Sequence, residues 1–395
     1  MDATVITKTL PTQDAATRVE PIVPENGYDS AQDISGPIRC AVIGSQPSSQ
    51  HDWLRLSLNE FTNQGTYSPP SVIFDNEIEA ELTQHRKRNI KLQTEAGLDL
   101  FSEGELFRTG KEGISSSYIL YIAQFMDGIR RTGTVQGDRD SSLLIDAPLR
   151  RIDTRIICDD WARAQALTDR PVKINLPGPI TFASRVPSSH YHSHEQLARD
   201  YARLLGAQLA ALESAGCKWV QIDDPHIIWD FQNCPYGVAC LDEALAYTSE
   251  KLHTVVHMCQ GNPYSFIENS SPEKGNIYYG SVAPQLAQSR VDAIAVEKPN
   301  MPGLNEFNLG LFGEKTIFLG LVDVADSIVE SPSQIADDII QALKEVPAHN
   351  LIITPDCGIK HFPEQLALQK LQSMRQAVDA VNTEITKILK KTIKL

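Results

Sequence analysis

Eight short apolar runs, IRCAVIG, GLDLFSEGE, VKINLP, KWVQID, TVVHMC, DAIAVE, TIFLGL and LIITPD, recur between residues 38 and 356, separated by longer stretches of helical periodicity. Continuous apolar runs of this length suit parallel strands that are covered on both faces. The intervening segments, such as HEQLARDYARLLGAQLAALESAG and SPSQIADDIIQALKEVP, read as capped amphipathic helices. Eightfold alternation of this kind predicts the α/β class and a single-domain (β/α)8 TIM barrel, a fold that typically takes roughly 250 residues. The stretch from Tyr118 to Asp159, containing RRTGTVQGDRDSSLLIDAPLRRID, reads as a hairpin-like insertion after the second unit. Residues 1–36 are polar, aperiodic and dotted with proline, and are expected to form a poorly ordered N-terminal arm ahead of a barrel spanning 37–395. A doubly wound open sheet is the competing architecture. The first strand is not followed by the glycine-rich phosphate fingerprint of that fold.

Charge narrows the partners. The chain of 395 residues has a formal net charge of −14, which disfavours nucleic acids and anionic membranes, because both are bound through clustered Lys and Arg. No run approaches the roughly 20 apolar residues of a membrane span, and the first residues lack the basic region and apolar core of a signal peptide. A cytoplasmic protein acting on small molecules is expected, with its oligomeric state open. The seven cysteines, at 40, 158, 217, 234, 240, 259 and 357, are odd in number and not spaced as a disulfide scaffold.

In TIM barrels the site lies at the C-terminal ends of the strands. Here those ends carry Gly44-Ser45, Glu103-Gly104-Glu105, Pro177-Gly178-Pro179, Asp223-Asp224, His257-Met258-Cys259, Glu297, Asp323 and Pro355-Asp356-Cys357-Gly358. In an extended chain residues 257 and 259 project to one side, which makes them half of a zinc site. Catalytic zinc takes three protein ligands and leaves a position for substrate. Cys357 is the candidate third ligand, and Glu297 a candidate fourth that gives way to substrate. The same run also reads as an ordinary core strand holding a satisfied histidine beside a buried cysteine.

VIGS, SEGELFR, LPGPITF, VQIDDP, HMCQGN and ITPDCG, in this order along the chain, resemble the catalytic domain of cobalamin-independent methionine synthase, and more closely its short single-barrel paralogues. The resemblance covers residues 38 to about 380. It implies a barrel that holds Zn2+ through His257, Cys259, Glu297 and Cys357 and activates a thiol for alkylation. It also implies that Ser45, Glu105 and Asp223 hold the amino and carboxylate groups of homocysteine. Arg108 is a candidate partner for a substrate carboxylate or for Glu105. Two positions depart from the family pattern. Val322-Asp323-Val324-Ala325 lacks the histidine that supplies a proton to a folate leaving group, and Thr181-Phe182-Ala183 lacks a tryptophan expected against the pterin. His226 is a candidate replacement acid.

Three functions remain open at this point. One is zinc-dependent methyl transfer from a methyl-folate or simpler donor to homocysteine or a related thiol. Another is zinc-dependent opening or rearrangement of an epoxide, as in coenzyme M transferases. The third is a barrel that binds a ligand and has lost catalysis.

Overall fold

The computed structural model describes residues 37–47, 76–106, 117–123, 125–131, 143–230, 232, 234–259, 279–298 and 308–392. The expected arm, residues 1–36, lies outside them, as does Arg108. The chain runs through β1 (Arg39–Cys40), α1 (Asn76–Glu95), β2 (Phe101–Ser102), α2 (Ser117–Ala123), β3 (Ile129–Arg131), β4 (Leu143–Ile145) and α3 (Arg155–Gln165). There follow β5 (Val172–Pro177), α4 (Pro179–Arg185), α5 (His194–Ser214), β6 (Trp219–Asp223), α6 (His226–Trp229), α7 (Gly237–Leu245) and β7 (His253–His257). The last elements are α8 (Tyr279–Gln288), β8 (Ala293–Glu297), β9 (Thr316–Val322), α9 (Pro332–Ala342), β10 (Leu351–Pro355) and α10 (Glu364–Thr392).

Each of the eight apolar runs supplies one strand of an eight-stranded sheet ordered β1-β10-β9-β8-β7-β6-β5-β2, in which every pairing is parallel. Its edges meet: Ala41 forms a parallel bridge to Leu100, and the Leu100 N–H donates to the Cys40 carbonyl at 3.3 Å. The sheet therefore curls into a TIM-barrel-like α/β fold with helices outside. A separate antiparallel pair, β3 with β4, lies between the second and third strands of the large sheet. The last residues of the stretch read as an insertion belong to a helix. Helix α3 starts at Arg155, whose N–H donates to Asp153 Oδ1 at 3.0 Å.

The helices form where the periodicity places them. Ser193 caps α5 by accepting from Gln196 N, and Leu197, Tyr201, Leu205, Leu209 and Leu212 line its buried face. Ser331 and Gln334 make a reciprocal capping box at the start of α9. Helix α10 clamps the first strand, with the Asn382 amide accepting from Ile38 N and donating to Ile38 O, and Arg375 bonded to the buried Asp99 carboxylate at 2.9 Å.

Alternation along the strands sorts the interior. Ala41, Ile43, Leu100, Trp219, Val255, Ala293, Ala295, Phe318 and Ile352 form an apolar cluster inside the barrel. Counting in steps of two from Trp219 reaches Gln221 and Asp223, from Val255 reaches His257, and from Ala295 reaches Glu297. The parallel register aligns these rows, pairing Asp223 with His257 and Pro177 with Asp223. The barrel thus has an apolar floor and a polar layer at the C-terminal ends of its strands.

Candidate functional site

Three side chains from two distant strand ends converge in that layer. One ligand atom each from His257, Cys259 and Cys357 lies within 4.8 Å of the other two. His257 closes β7, and backbone bonds carry the chain past it: Asp224 N donates to His257 O at 2.9 Å and Met258 N to Ala295 O at 3.2 Å. The Trp229 indole donates to Cys259 O at 2.9 Å and the Tyr279 hydroxyl to Met258 O, fixing the backbone that carries Cys259. Cys357 follows β10 just beyond a shift in the ladder register between Thr354 and Pro355, where Asp356 N bonds to Val322 O at 2.9 Å. An irregularity of this kind re-aims the side chains that follow it.

The donor set suits a thiophilic cation. Asp223 Oδ1 receives His257 Nδ1 at 2.9 Å, which leaves the buried Nε2 for the thiol side of the cluster. A carboxylate behind one imidazole nitrogen, with the other nitrogen facing two thiols, is the arrangement that orients a histidine toward zinc. Burial alone would strip the imidazole of its proton, but the bond to Asp223 and the adjacent Cys357 thiol outweigh it and hold His257 up to about 10. A hydrogen bond from Cys259 brings the Cys357 thiol well below its usual range against the opposing effect of burial, and His257 adds to that lowering.

The carboxylates expected to meet substrate stand beside this cluster. Glu105 has a positive φ of 54°, a conformation few non-glycine residues adopt. The turn brings its carboxylate against Gly44, where a Cβ would displace it, and Asn175 Nδ2 donates to Glu105 Oε1 at 2.6 Å. Burial, and then the charge of Asp223, push Glu105 up to about 7, while Lys360 and Lys173 pull the other way. Ser45 is buried and joined to the Cys357 loop by the bond from Ile359 N to Ser45 O at 2.8 Å. Its hydroxyl occupies the space a side chain at Gly358 would need.

Other expected residues stand apart. Glu297 is buried at the end of β8, yet no oxygen of it joins the cluster of His257, Cys259 and Cys357. His226 begins α6 with Nδ1 3.2 Å from Thr181 Oγ1, and burial followed by the charge of Arg185 pushes it down to about 4. At neutral pH it is uncharged. Asp224 caps α4, accepting from Ile180 N at 3.2 Å and Thr181 N at 2.6 Å.

Sequence reasoning passed over Lys173, Asn175, Gln221 and Lys360. The first three lie beneath the carboxylates: Lys173 Nζ donates to Gln221 Oε1 at 2.8 Å, and Gln221 Nε2 donates to Asp223 Oδ1 at 2.6 Å. Their signal was present as polar residues at alternate positions of the apolar runs VKINLP and KWVQID.

Known proteins share this plan. A family model described as the catalytic domain of cobalamin-independent synthase matches residues 40–380. A methionine synthase of Saccharolobus solfataricus is 28% identical over 352 residues, covering 87% of this chain and 95% of that protein. The structure of a B12-independent methionine synthase from Shewanella sp. W3-18-1, in complex with selenomethionine, superposes with a TM-score of 0.70 at 26% identity, covering 89% of this chain and 99% of the other. A methyltransferase from Methanosarcina mazei shares the fold with a TM-score of 0.53 at 14% identity, over 89% of this chain and 96% of its own.

A zinc ion entering between His257 and the thiols must displace the proton that His257 retains up to about 10. Zinc affinity, measured by competition with a chelator, is therefore expected to rise with pH across the neutral range, by about tenfold per unit for each proton displaced. An affinity independent of pH between 6 and 9 would contradict this exchange.

Proposed function

Because the chain belongs to the cobalamin-independent synthase family, we propose that it transfers a methyl group to the sulfur of homocysteine, with Zn2+ held by His257, Cys259 and Cys357. The observation that carries this reading is the convergence of two thiols with the buried imidazole of His257, whose Nδ1 is held by Asp223. Bound there, zinc would supply the Lewis acidity that keeps a substrate thiol as its nucleophilic thiolate at neutral pH. Family membership favours methyl transfer over the epoxide alternative and over a barrel without catalysis.

The remaining work falls to the protein's own groups. Glu105 and Asp223 pair with the substrate ammonium from two sides, and Ser45 takes its carboxylate, fixing the position of the sulfur beside Cys259 and Cys357. The selenomethionine bound by the Shewanella relative is an amino acid of the product's shape, which supports this assignment. Glu297, buried behind the cluster, is read as a group that moves toward the cation when the site rearranges. A methyl-folate or a simpler methyl compound is the donor. Ala325 occupies the loop after β9, its N–H donating to Asp323 Oδ1 at 2.7 Å, so that loop presents a methyl group where folate-dependent relatives are expected to present an imidazole. His226, the candidate replacement acid, is uncharged at neutral pH and would offer the leaving group a hydrogen bond from its neutral N–H. Arg108 is kept as a second anchor for the carboxylate.

The test is product analysis with purified protein, homocysteine and a panel of methyl donors and epoxides. Methionine is expected with at least one methyl donor, and Cys259→Ser and Cys357→Ser are each expected to reduce its formation by at least about a hundredfold. Full activity in both variants would overturn the reading. A pH dependence also follows from Glu105, which is ionised above about 7 and neutral below. Only the charged form pairs with an ammonium, so KM for homocysteine is expected to fall as pH rises through about 7. Glu105→Gln should flatten that part of the profile and raise KM at pH 8.

A further inference from the structure

Lys173 is fully buried inside the barrel, at the second position of β5, below both proposed substrate carboxylates. Its ammonium donates to the Ile43 carbonyl, to Asn175 Oδ1 at 3.1 Å and to Gln221 Oε1 at 2.8 Å. An ammonium has three donors and no acceptor. Whatever faces it must accept, and this settles which end of each neighbouring amide points which way. Asn175 turns its NH2 outward to Glu105 Oε1 at 2.6 Å and to Ile43 O at 3.0 Å. Gln221 turns its NH2 to Asp223 Oδ1 at 2.6 Å. Asp223, supplied from behind by Gln221, accepts in turn from His257 Nδ1 at 2.9 Å, which leaves Nε2 to face Cys259 and Cys357.

We propose that Lys173 is a positioning residue that sets the donor and acceptor sense of two buried relays. One runs through Gln221 and Asp223 to the metal-facing nitrogen of His257, the other through Asn175 to Glu105. The inference rests on the reading of the site as a zinc and aminothiol site. A polar layer above the apolar cluster of Val255, Ala295, Phe318 and Ile352 is where such control matters. With little water to compensate, an amide turned the wrong way would set an oxygen against a carboxylate. With Lys173 removed, both amides lose the cation that dictates their orientation, and the carboxylates lose the donors behind them. A role of Lys173 in packing alone would lower stability and leave the ligand affinities of the folded protein unchanged.

The experiment measures zinc affinity by chelator competition, and homocysteine binding to the zinc-loaded protein, for the parent, Lys173→Met, Gln221→Met, Asn175→Leu and the double variant Lys173→Met/Gln221→Met. Lys173→Met is expected to weaken zinc by about tenfold or more, the range seen when a group behind a ligand is lost. Since Lys173 acts on the metal through Gln221, the double variant should bind zinc no more weakly than Gln221→Met alone. Asn175→Leu should weaken homocysteine binding while leaving zinc within about twofold of the parent. A folded Lys173→Met protein whose zinc affinity equals the parent's, or a double variant with fully additive losses, would overturn the inference and leave the proposed function standing. If Lys173→Met does not fold, the branch test decides: equal effects of Gln221→Met and Asn175→Leu on both ligands would overturn it. A parent protein that binds no zinc would overturn the proposed function itself.

Discussion

Inside a parallel barrel every second residue of each strand faces the interior, and this alternation dictates where each polar side chain of the chain can go. Trp219, Gln221 and Asp223 occupy one inward row, Val255 and His257 another, and Ala293, Ala295 and Glu297 a third. Parallel pairing keeps the rows level, so that Asp223 lies opposite His257. The apolar members fill the floor, and the polar members are forced together where the strands end. A shift of one residue in β6 or β7 would turn Asp223 or His257 outward into the helical layer. The metal-facing geometry is thus a consequence of strand register before it is a matter of side-chain choice.

That crowding has an electrostatic consequence. Buried charges persist only when paired or hydrogen-bonded, and each group here is answered by another. His257 keeps its proton because Asp223 stands behind it, Glu105 is raised toward neutrality by burial and by Asp223, and Lys173 lies beneath both carboxylates with three acceptors around it. Such a site has partners ready for an incoming cation and an incoming ammonium. In the proposed reaction, zinc bound there would take the place of the proton on His257, and a substrate ammonium would relieve the repulsion between Glu105 and Asp223. Preorganisation of this kind lowers the reorganisation needed to bind either.

Much of this was legible in the sequence. The eight strands were readable because parallel strands buried on both faces need unbroken apolar runs, and α5 and α9 because their caps and periodicity agree. His257 and Cys259 were readable from their two-residue spacing, and Cys357 from its place after the last strand. The two-strand ladder of β3 and β4 was foreshadowed by turn residues, though the start of α3 at Arg155, bonded to Asp153 through its N–H and its guanidinium, was not. Glu297 was readable as far as its row, the inward one it shares with Ala293 and Ala295. The positive φ of Glu105 and the amide orientations around Lys173 exist only in three dimensions, because they come from contacts between residues as far apart as Ile43 and Lys173.

The central claim is that one metal ion sits between His257, Cys259 and Cys357 and takes the substrate sulfur directly. The most direct measurement is the absorption spectrum of the cobalt-substituted protein during titration with homocysteine. Charge-transfer bands of two thiolates are expected before addition, with a third thiolate contribution growing to saturation at one equivalent of homocysteine per site. Bands that ignore homocysteine, or no thiolate bands at all, would contradict the claim.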